Sequence, residues 1–138
     1  MLPVKITRTS GIDFTHQEPA FVDFNSFPLL PFQLSKIGPC IARADVNQDG
    51  REDIFIGASS GQESSLYLQT NAGGFTRSLS QPWNNHIEIT NADALFFDAD
   101  RDGDMDLYLV SGGANYNVAS KNYQDLGNRF YPPGAGLC

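Results

Sequence analysis

What this sequence lacks narrows it before anything it contains. No run of apolar residues approaches the roughly 18 that a membrane-spanning helix needs, and the opening MLPVKITRTSG has no apolar core of the kind a secretory signal carries. Basic residues are few: 9 Lys and Arg stand against 16 Asp and Glu, for a formal net charge of −7. A nucleic-acid backbone is held by clustered Lys and Arg, so DNA and RNA are not expected partners. Cysteine is scarce, with Cys40 and Cys138 alone, too few for a disulfide scaffold. Cys40, in GPCIA, reads as a small buried hydrophobe, with a bridge to Cys138 as the lesser alternative. Helical patterning is also missing, because no apolar repeat at i, i+3, i+4 and i+7 outlasts a single turn. Neither G-x-x-x-x-G-K-[ST] nor G-x-G-x-x-G occurs. The chain of 138 residues is one domain's length at most, and its 41 % hydrophobic content excludes a disordered acidic tail.

What is present is a series of short runs rich in β-branched and aromatic residues. IARADV, DIFIGA, SSLYLQT, GFTRSL, ALFFDAD and DLYLVSG read as strands, separated by the turn-rich clusters NQDGRED, SSGQES, TNAGG and DRDGD. IDFTH and FVDF near the start read as weaker strand candidates, and FPLLPF as an extended loop. The runs repeat: IARADVNQDGREDIFIGASSG aligns with ALFFDADRDGDMDLYLVSGG at an offset of 53 residues, which pairs Asp45 with Asp98, Gly50 with Gly103 and Asp53 with Asp106. A period near 50 with about four strands per period points to propeller blades. The expected fold is therefore all-β: a partial β-propeller of about two to three four-stranded antiparallel blades. Residues 1–36 are expected to form an irregular N-terminal segment or the end of a preceding blade. Repeat 1 then spans 37–90, and repeat 2 spans 91–138, incomplete and with an atypical tail.

The stretch DADRDGDMD, Asp98 to Asp106, sets five carboxylates in nine residues. Two like charges about 4 Å apart repel by roughly 4 kcal/mol at an effective dielectric near 20, so either a cation offsets them or the stretch is a solvated turn. Both acidic loops follow D-x-[DN]-x-D-G-x-x-D, which favours the cation. Side-chain oxygens at positions 1, 3 and 5 converge where a glycine at position 6 permits a sharp turn, position 7 offers its carbonyl, and position 9 adds a carboxylate. The candidate ligands are Asp45, Asn47, Asp49, Arg51 (through its carbonyl) and Asp53 in loop 1. In loop 2 they are Asp98, Asp100, Asp102, Asp104 (through its carbonyl) and Asp106. An all-oxygen set with no His or Cys nearby selects Ca²⁺ over zinc or copper. An EF-hand would need a glutamate at position 12, where Ile56 and Leu109 stand, and flanking helices in place of strands. Loop 2 carries more carboxylates than loop 1, where Asn47 replaces an acid, so tighter binding is expected at loop 2.

GPCIARADVNQDGREDIFIGASSG followed by SSLYLQTNAGGF resembles FG-GAP (VCBS) repeats, the calcium-binding blades of integrin α-subunit propellers and of many bacterial surface and secreted proteins. LPFQLSKIGP and ALFFDADRDGDMDLYLVSGG are similar to VCBS-repeat proteins of the cartilage-acidic-protein-like group. The resemblance covers about residues 10–125 and rests most specifically on the aspartate loops. It implies a seven-bladed propeller with calcium between the first two strands of a blade, held by the side chains of Asp45, Asn47, Asp49 and Asp53, then Asp98, Asp100, Asp102 and Asp106. The chain holds about two and a half such blades and a propeller needs four to eight, so a fragment of a longer protein, or an assembly, is expected. The tail NYQDLGNRFYPPGAGLC departs from the family pattern.

Enzyme signatures are weak. GASSG, Gly57 to Gly61, matches the G-x-S-x-G nucleophile pattern around Ser59, but that motif needs a following helix and ESSLYLQT reads as a strand. No motif ties His16 or His86 to Ser59, and the clustered aspartates serve better as metal ligands than as a glycosidase pair. Trp83, in the polar stretch QPWNNH, is a candidate ligand-stacking residue, with packing between blades as the competing reading. Taken together, the sequence predicts a non-enzymatic, calcium-binding propeller module serving adhesion or ligand binding, with calcium structural. Its setting is expected to be extracellular or cell-surface: secreted, or outer-membrane-associated if bacterial. Its expected partner is a protein or glycan, and there is no membrane span. The alternative is a non-catalytic, carbohydrate-binding accessory domain of a larger secreted enzyme.

Overall fold

The computed structural model describes residues 10–20, 22–26, 28–29, 31–32, 36, 38–79 and 81–113. Six strands carry the fold. β1 (Ile41–Ala44), β2 (Asp53–Ile56), β3 (Ser65–Gln69) and β4 (Phe75–Ser78) form one antiparallel sheet in the order β1-β2-β3-β4. β5 (Thr90–Phe97) and β6 (Asp106–Gly112) form a two-stranded antiparallel sheet with a bulge between Asn91 and Asp93. This is one complete four-stranded blade and the first two strands of a second, in an all-β partial propeller. All six strand-like runs of the sequence become strands. The weaker candidates do not: IDFTH forms no strand, and Asp23–Ser26 is a single helical turn, α1. There the local hydrogen bond from the Asn25 amide to the Val22 carbonyl takes the place of a ladder partner. The readings of the tail and of Cys138 fall outside the described residues.

Period-2 alternation builds the core. Cys40, Ala42 and Ala44 alternate with exposed Ile41 and Arg43, and the ladder pairs Ala42 with Phe55 and Phe55 with Leu66 on the same face. Onto that face the second sheet lays Ala94, Phe96, Leu107 and Leu109. Phe55 and Leu109 are both 0 % exposed, and each such side chain contributes about 1.5–3 kcal/mol on burial. The two copies do not meet through equivalent faces. Phe55 of copy 1 lies in the shared core, while its counterpart Tyr108 lies outside that core in an edge-on contact with Phe97. Leu107 and Leu109 lie in the core, while their counterparts Ile54 and Ile56 do not. One face of copy 1 thus receives the opposite face of copy 2. This head-to-tail relation generates a ring or an array rather than a closed pair.

The N-terminal segment crosses the far face of the first sheet. Tyr67, fully buried on that face, donates its hydroxyl to Asp13 at 2.7 Å, and Gln62 bonds both the Gln17 amide and the Thr15 carbonyl. Between the sheets, the Asn91 amide bonds the Ala58 carbonyl at 3.0 Å. The Asn91 side chain donates to Ser64 Oγ at 2.6 Å, and that hydroxyl also receives the Ala58 amide. The chains approach closely here, because a Cβ on Gly57 would lie 2.3 Å from Cys40 Sγ and 3.0 Å from Asn91 Cβ.

Candidate metal centre and neighbouring sites

Each acidic loop joins the first two strands of its sheet: loop 1 (45–53) links β1 to β2, and loop 2 (98–106) links β5 to β6. The two have nearly the same hydrogen-bond scheme. The position-2 amide donates to the position-9 carboxylate, Val46 to Asp53 at 3.0 Å and Ala99 to Asp106 at 3.1 Å. The glycine amide donates to the position-1 carboxylate, Gly50 to Asp45 at 2.7 Å and Gly103 to Asp98 at 3.1 Å. Asp49 and Asp102 donate their amides to the side chains of Asn47 and Asp100, at 3.2 Å in both loops. The amides of Arg51 and Asp104 donate to Asp49 and Asp102, at 2.9 Å in both. Gly50 and Gly103 have φ of +83° and +94°, with nothing within 4 Å of a Cβ, so glycine is required there by conformation and not by space. Position 4 is also left-handed, in Gln48 (φ 58°) and Arg101 (φ 65°). Non-glycine residues rarely adopt this conformation, and the sequence pattern gave no sign of it.

The loops differ in how their charge is met. In loop 1 the Arg51 guanidinium bonds Asp49 at 2.7 Å and the Asn47 amide bonds the same carboxylate at 3.0 Å. Arg51 is anchored in turn on the Gln69 carbonyl of β3. Desolvation raises the Asp49 carboxyl, but the bonds from the Arg51 amide and the Asn47 side chain, with the Arg51 charge, outweigh it and hold that carboxyl below the usual range. Asp53 is fully buried and has both oxygens occupied, by the Val46 amide and by the Gln69 amide at 2.8 Å. Burial pushes its carboxyl up, the two amide bonds oppose this without cancelling it, and Asp49 and Asp45 add to the rise. Asp53 therefore ties the loop to β3.

Loop 2 has an arginine of its own, Arg101, but it is exposed and, among the described residues, forms no ion pair with the loop's carboxylates. Among the described residues, the group of acidic side chains that can hold a metal is Asp98, Asp100 and Asp106, whose carboxylate oxygens lie within 4.8 Å of one another. The bond from the Asp102 amide lowers the Asp100 carboxyl, but desolvation and the charges of Asp102 and Asp106 outweigh it and push it above the usual range. Asp98 Oδ1 is buried and has no hydrogen-bond partner. A hard divalent cation fits this set: the donors are all oxygens, and one is a buried carboxylate oxygen with nothing to accept from. The structure thus brings together three of the five loop-2 positions read from the sequence. Asp102 and Asp104 stand on the same loop outside that group, and Asp45, Asp49 and Asp53 form no comparable group.

The family model described as the FG-GAP-like repeat matches residues 45–109, a span of 65 of the 138 residues that holds both loops and the strands between them. This stretch is an FG-GAP-like repeat region. No curated protein and no solved structure matches the chain. Repeats of this kind form propeller blades, in agreement with the sheet order.

Three sites outside the loops of the repeat bear on function. Trp83 is 6 % exposed, which corrects the expectation of a tryptophan offered to a ligand. It stands on a 3-10 turn, Pro82–His86, and packs edge-on against Phe55 with ring centroids 5.2 Å apart. Its indole N–H donates to the Ser64 carbonyl at 3.2 Å. Its burial agrees with the competing reading of QPWNNH, a packing residue. Ser59 does lie near a histidine, with its Oγ 3.4 Å from His16 Nε2, a proximity the sequence did not show. That same nitrogen faces Glu18 at 3.0 Å, while His16 Nδ1 is buried without a partner. A relay needs the acid on the opposite ring nitrogen from the nucleophile, and Ser59 is 1 % exposed. These contacts fasten the N-terminal segment to the blade. Finally, an open cleft of about 400 Å³ lies between that segment and the sheet, lined by Asp13, Gln17, Gln62, Glu63, Tyr67 and Arg77 among others. Among the described residues no helix is long and apolar enough to cross a membrane.

Proposed function

We propose that the chain is a non-catalytic, calcium-binding β-propeller module of an extracellular or cell-surface protein, serving adhesion or ligand binding. Its repeats at 37–90 and 91–138 would belong to a longer chain that completes the propeller. The observation that carries this reading is the convergence of Asp98, Asp100 and Asp106 with the buried, unpartnered Asp98 Oδ1, within a repeat region whose second sheet leaves Leu95 and Phe97 exposed. Calcium, when bound, supplies a divalent charge that offsets carboxylate repulsion. Asp98, Asp100 and Asp106 hold it, Gly103 gives the turn its sharpness, and Asp106 joins the loop to β6. Extracellular modules bind calcium at about 10⁻⁴ to 10⁻³ M, a range that suits a structural ion outside the cell. The second reading, a carbohydrate-binding accessory domain of a larger secreted enzyme, is favoured by the polar cleft, whose amides, carboxylates and Arg77 suit the hydroxyls of a saccharide.

Thermal unfolding in chelator and in 10 mM calcium tests the metal. A site with a dissociation constant near 1 mM stabilises the fold by about 1.4 kcal/mol at that concentration, and an unchanged midpoint contradicts the reading. Glycan binding that is lost in Arg77→Ala, with the fold intact, would favour the accessory-domain reading over adhesion through protein contacts.

A further inference from the structure

The two loops share a backbone design but not a charge. Across positions 1, 3, 5, 7 and 9, loop 1 sets three aspartates against Arg51, a formal −2, while loop 2 has five aspartates, a formal −5. Arg51 is held over Asp49 from two sides, by the 2.7 Å ion pair and by its bond to the Gln69 carbonyl at 3.3 Å. It is therefore a fixed part of loop 1, placed where the position-5 carboxylate would otherwise await a cation. Loop 1 also reaches its neighbour. Gln48, at the left-handed position 4, extends its side-chain amide to the Asp104 carboxylate and to the Gly103 carbonyl at 3.4 Å. These are the two residues at which loop 2 turns back toward Asp106. A neutral donor there offsets part of the Asp104 charge and holds the backbone between Asp100 and Asp106 of the metal-capable group.

We infer that loop 1 is a metal-free brace for loop 2: Arg51 does in loop 1 what calcium does in loop 2, and Gln48 is a positioning residue for the loop-2 site. This rests on the calcium reading above and makes that reading more specific. The chain then binds one calcium and not two. Outer contacts that orient metal ligands typically account for 10- to 100-fold in affinity, so the bond from Gln48, which acts through a single neighbouring carboxylate, belongs at the lower end.

Calorimetric titration of the full 138-residue chain with calcium, after chelator treatment, tests this in the wild type and two variants. Wild type is expected to bind one equivalent. Gln48→Ala is expected to bind one equivalent roughly tenfold more weakly, with its unfolding midpoint in chelator unchanged. The double variant Asn47→Asp, Arg51→Ala raises the loop-1 charge to −4 and is expected to bind two equivalents. Two equivalents in wild type, an unaltered affinity in Gln48→Ala, or one equivalent in the double variant each overturn the inference while leaving calcium binding in place. No binding by any variant overturns the calcium reading itself, and the inference with it.

Discussion

The two acidic loops share their chain path, their left-handed residues and four of their backbone-amide-to-side-chain bonds, yet they balance charge differently. Loop 1 is complete as a polypeptide: Asp53 has two backbone amides and Asp49 has a guanidinium. Loop 2 leaves a buried carboxylate oxygen unpartnered and brings three carboxylates within 4.8 Å of one another. The difference teaches that the D-x-[DN]-x-D-G-x-x-D pattern encodes a loop shape first. Whether a loop of that shape needs a metal depends on positions 3 and 7, where Asn47 and Arg51 face Asp100 and Asp104.

The largest effect expected from breaking this contrast comes from position 9. Asp53→Ala strips the acceptor from two amides, Val46 and Gln69, and is expected to cost about 2–4 kcal/mol with or without calcium. Asp106→Ala strips one described amide, Ala99, and should cost about half as much in chelator, but should also abolish the stabilisation by calcium. Urea denaturation of both variants in chelator and in calcium reads the difference, and a calcium-dependent loss at Asp53 would erase the distinction. Next in size are the turn glycines. Gly50→Ala and Gly103→Ala each place a side chain at a φ near +90° with open space around it, for about 1–2 kcal/mol. Equal costs in chelator are expected, with weaker calcium binding in Gly103→Ala alone.

The smallest effect lies at Cys40, which aligns with Asp93 of the second copy. Burial pushes its thiol up to about 11 from 9.0, opposed by a hydrogen bond with the Gly57 backbone. The folded state holds this proton more tightly than the unfolded state. Its contribution to stability is therefore fully present below pH 9.0 and is lost as the pH rises through about 11. Cys40→Ala should flatten the stability profile across that window, and alkylation of the native thiol at pH 8 should be slow. Rapid native alkylation would contradict its burial.

The strands and the loops were legible because each has a local signature. Alternation in IARA and DLYLVSG reports a half-buried strand, and glycine at position 6 reports a left-handed turn. The missed features are those in which a distant partner decides. From the sequence Trp83 is open between packing and ligand stacking, because it sits among polar residues and only the arrival of Phe55 and the Ser64 carbonyl makes it core. IDFTH alternates like a strand but meets side chains of the blade, Tyr67 among them, in place of a ladder. Gln48 and Arg101 adopt a glycine-like conformation because carboxylates collect the amides that follow them. Of the candidate metal ligands, the motif named every residue that converges, but it could not separate a loop neutralised by its own arginine from one that is not.

The central claim is that two copies of one loop differ in their need for a cation. Amide resonances of the uniformly ¹⁵N-labelled chain, followed as calcium is added after chelation, test it residue by residue. The account predicts large, saturable shifts at Ala99 to Asp104 and little change at Val46, Asp49, Gly50 and Arg51. Equal shifts in both loops with the same midpoint would contradict it.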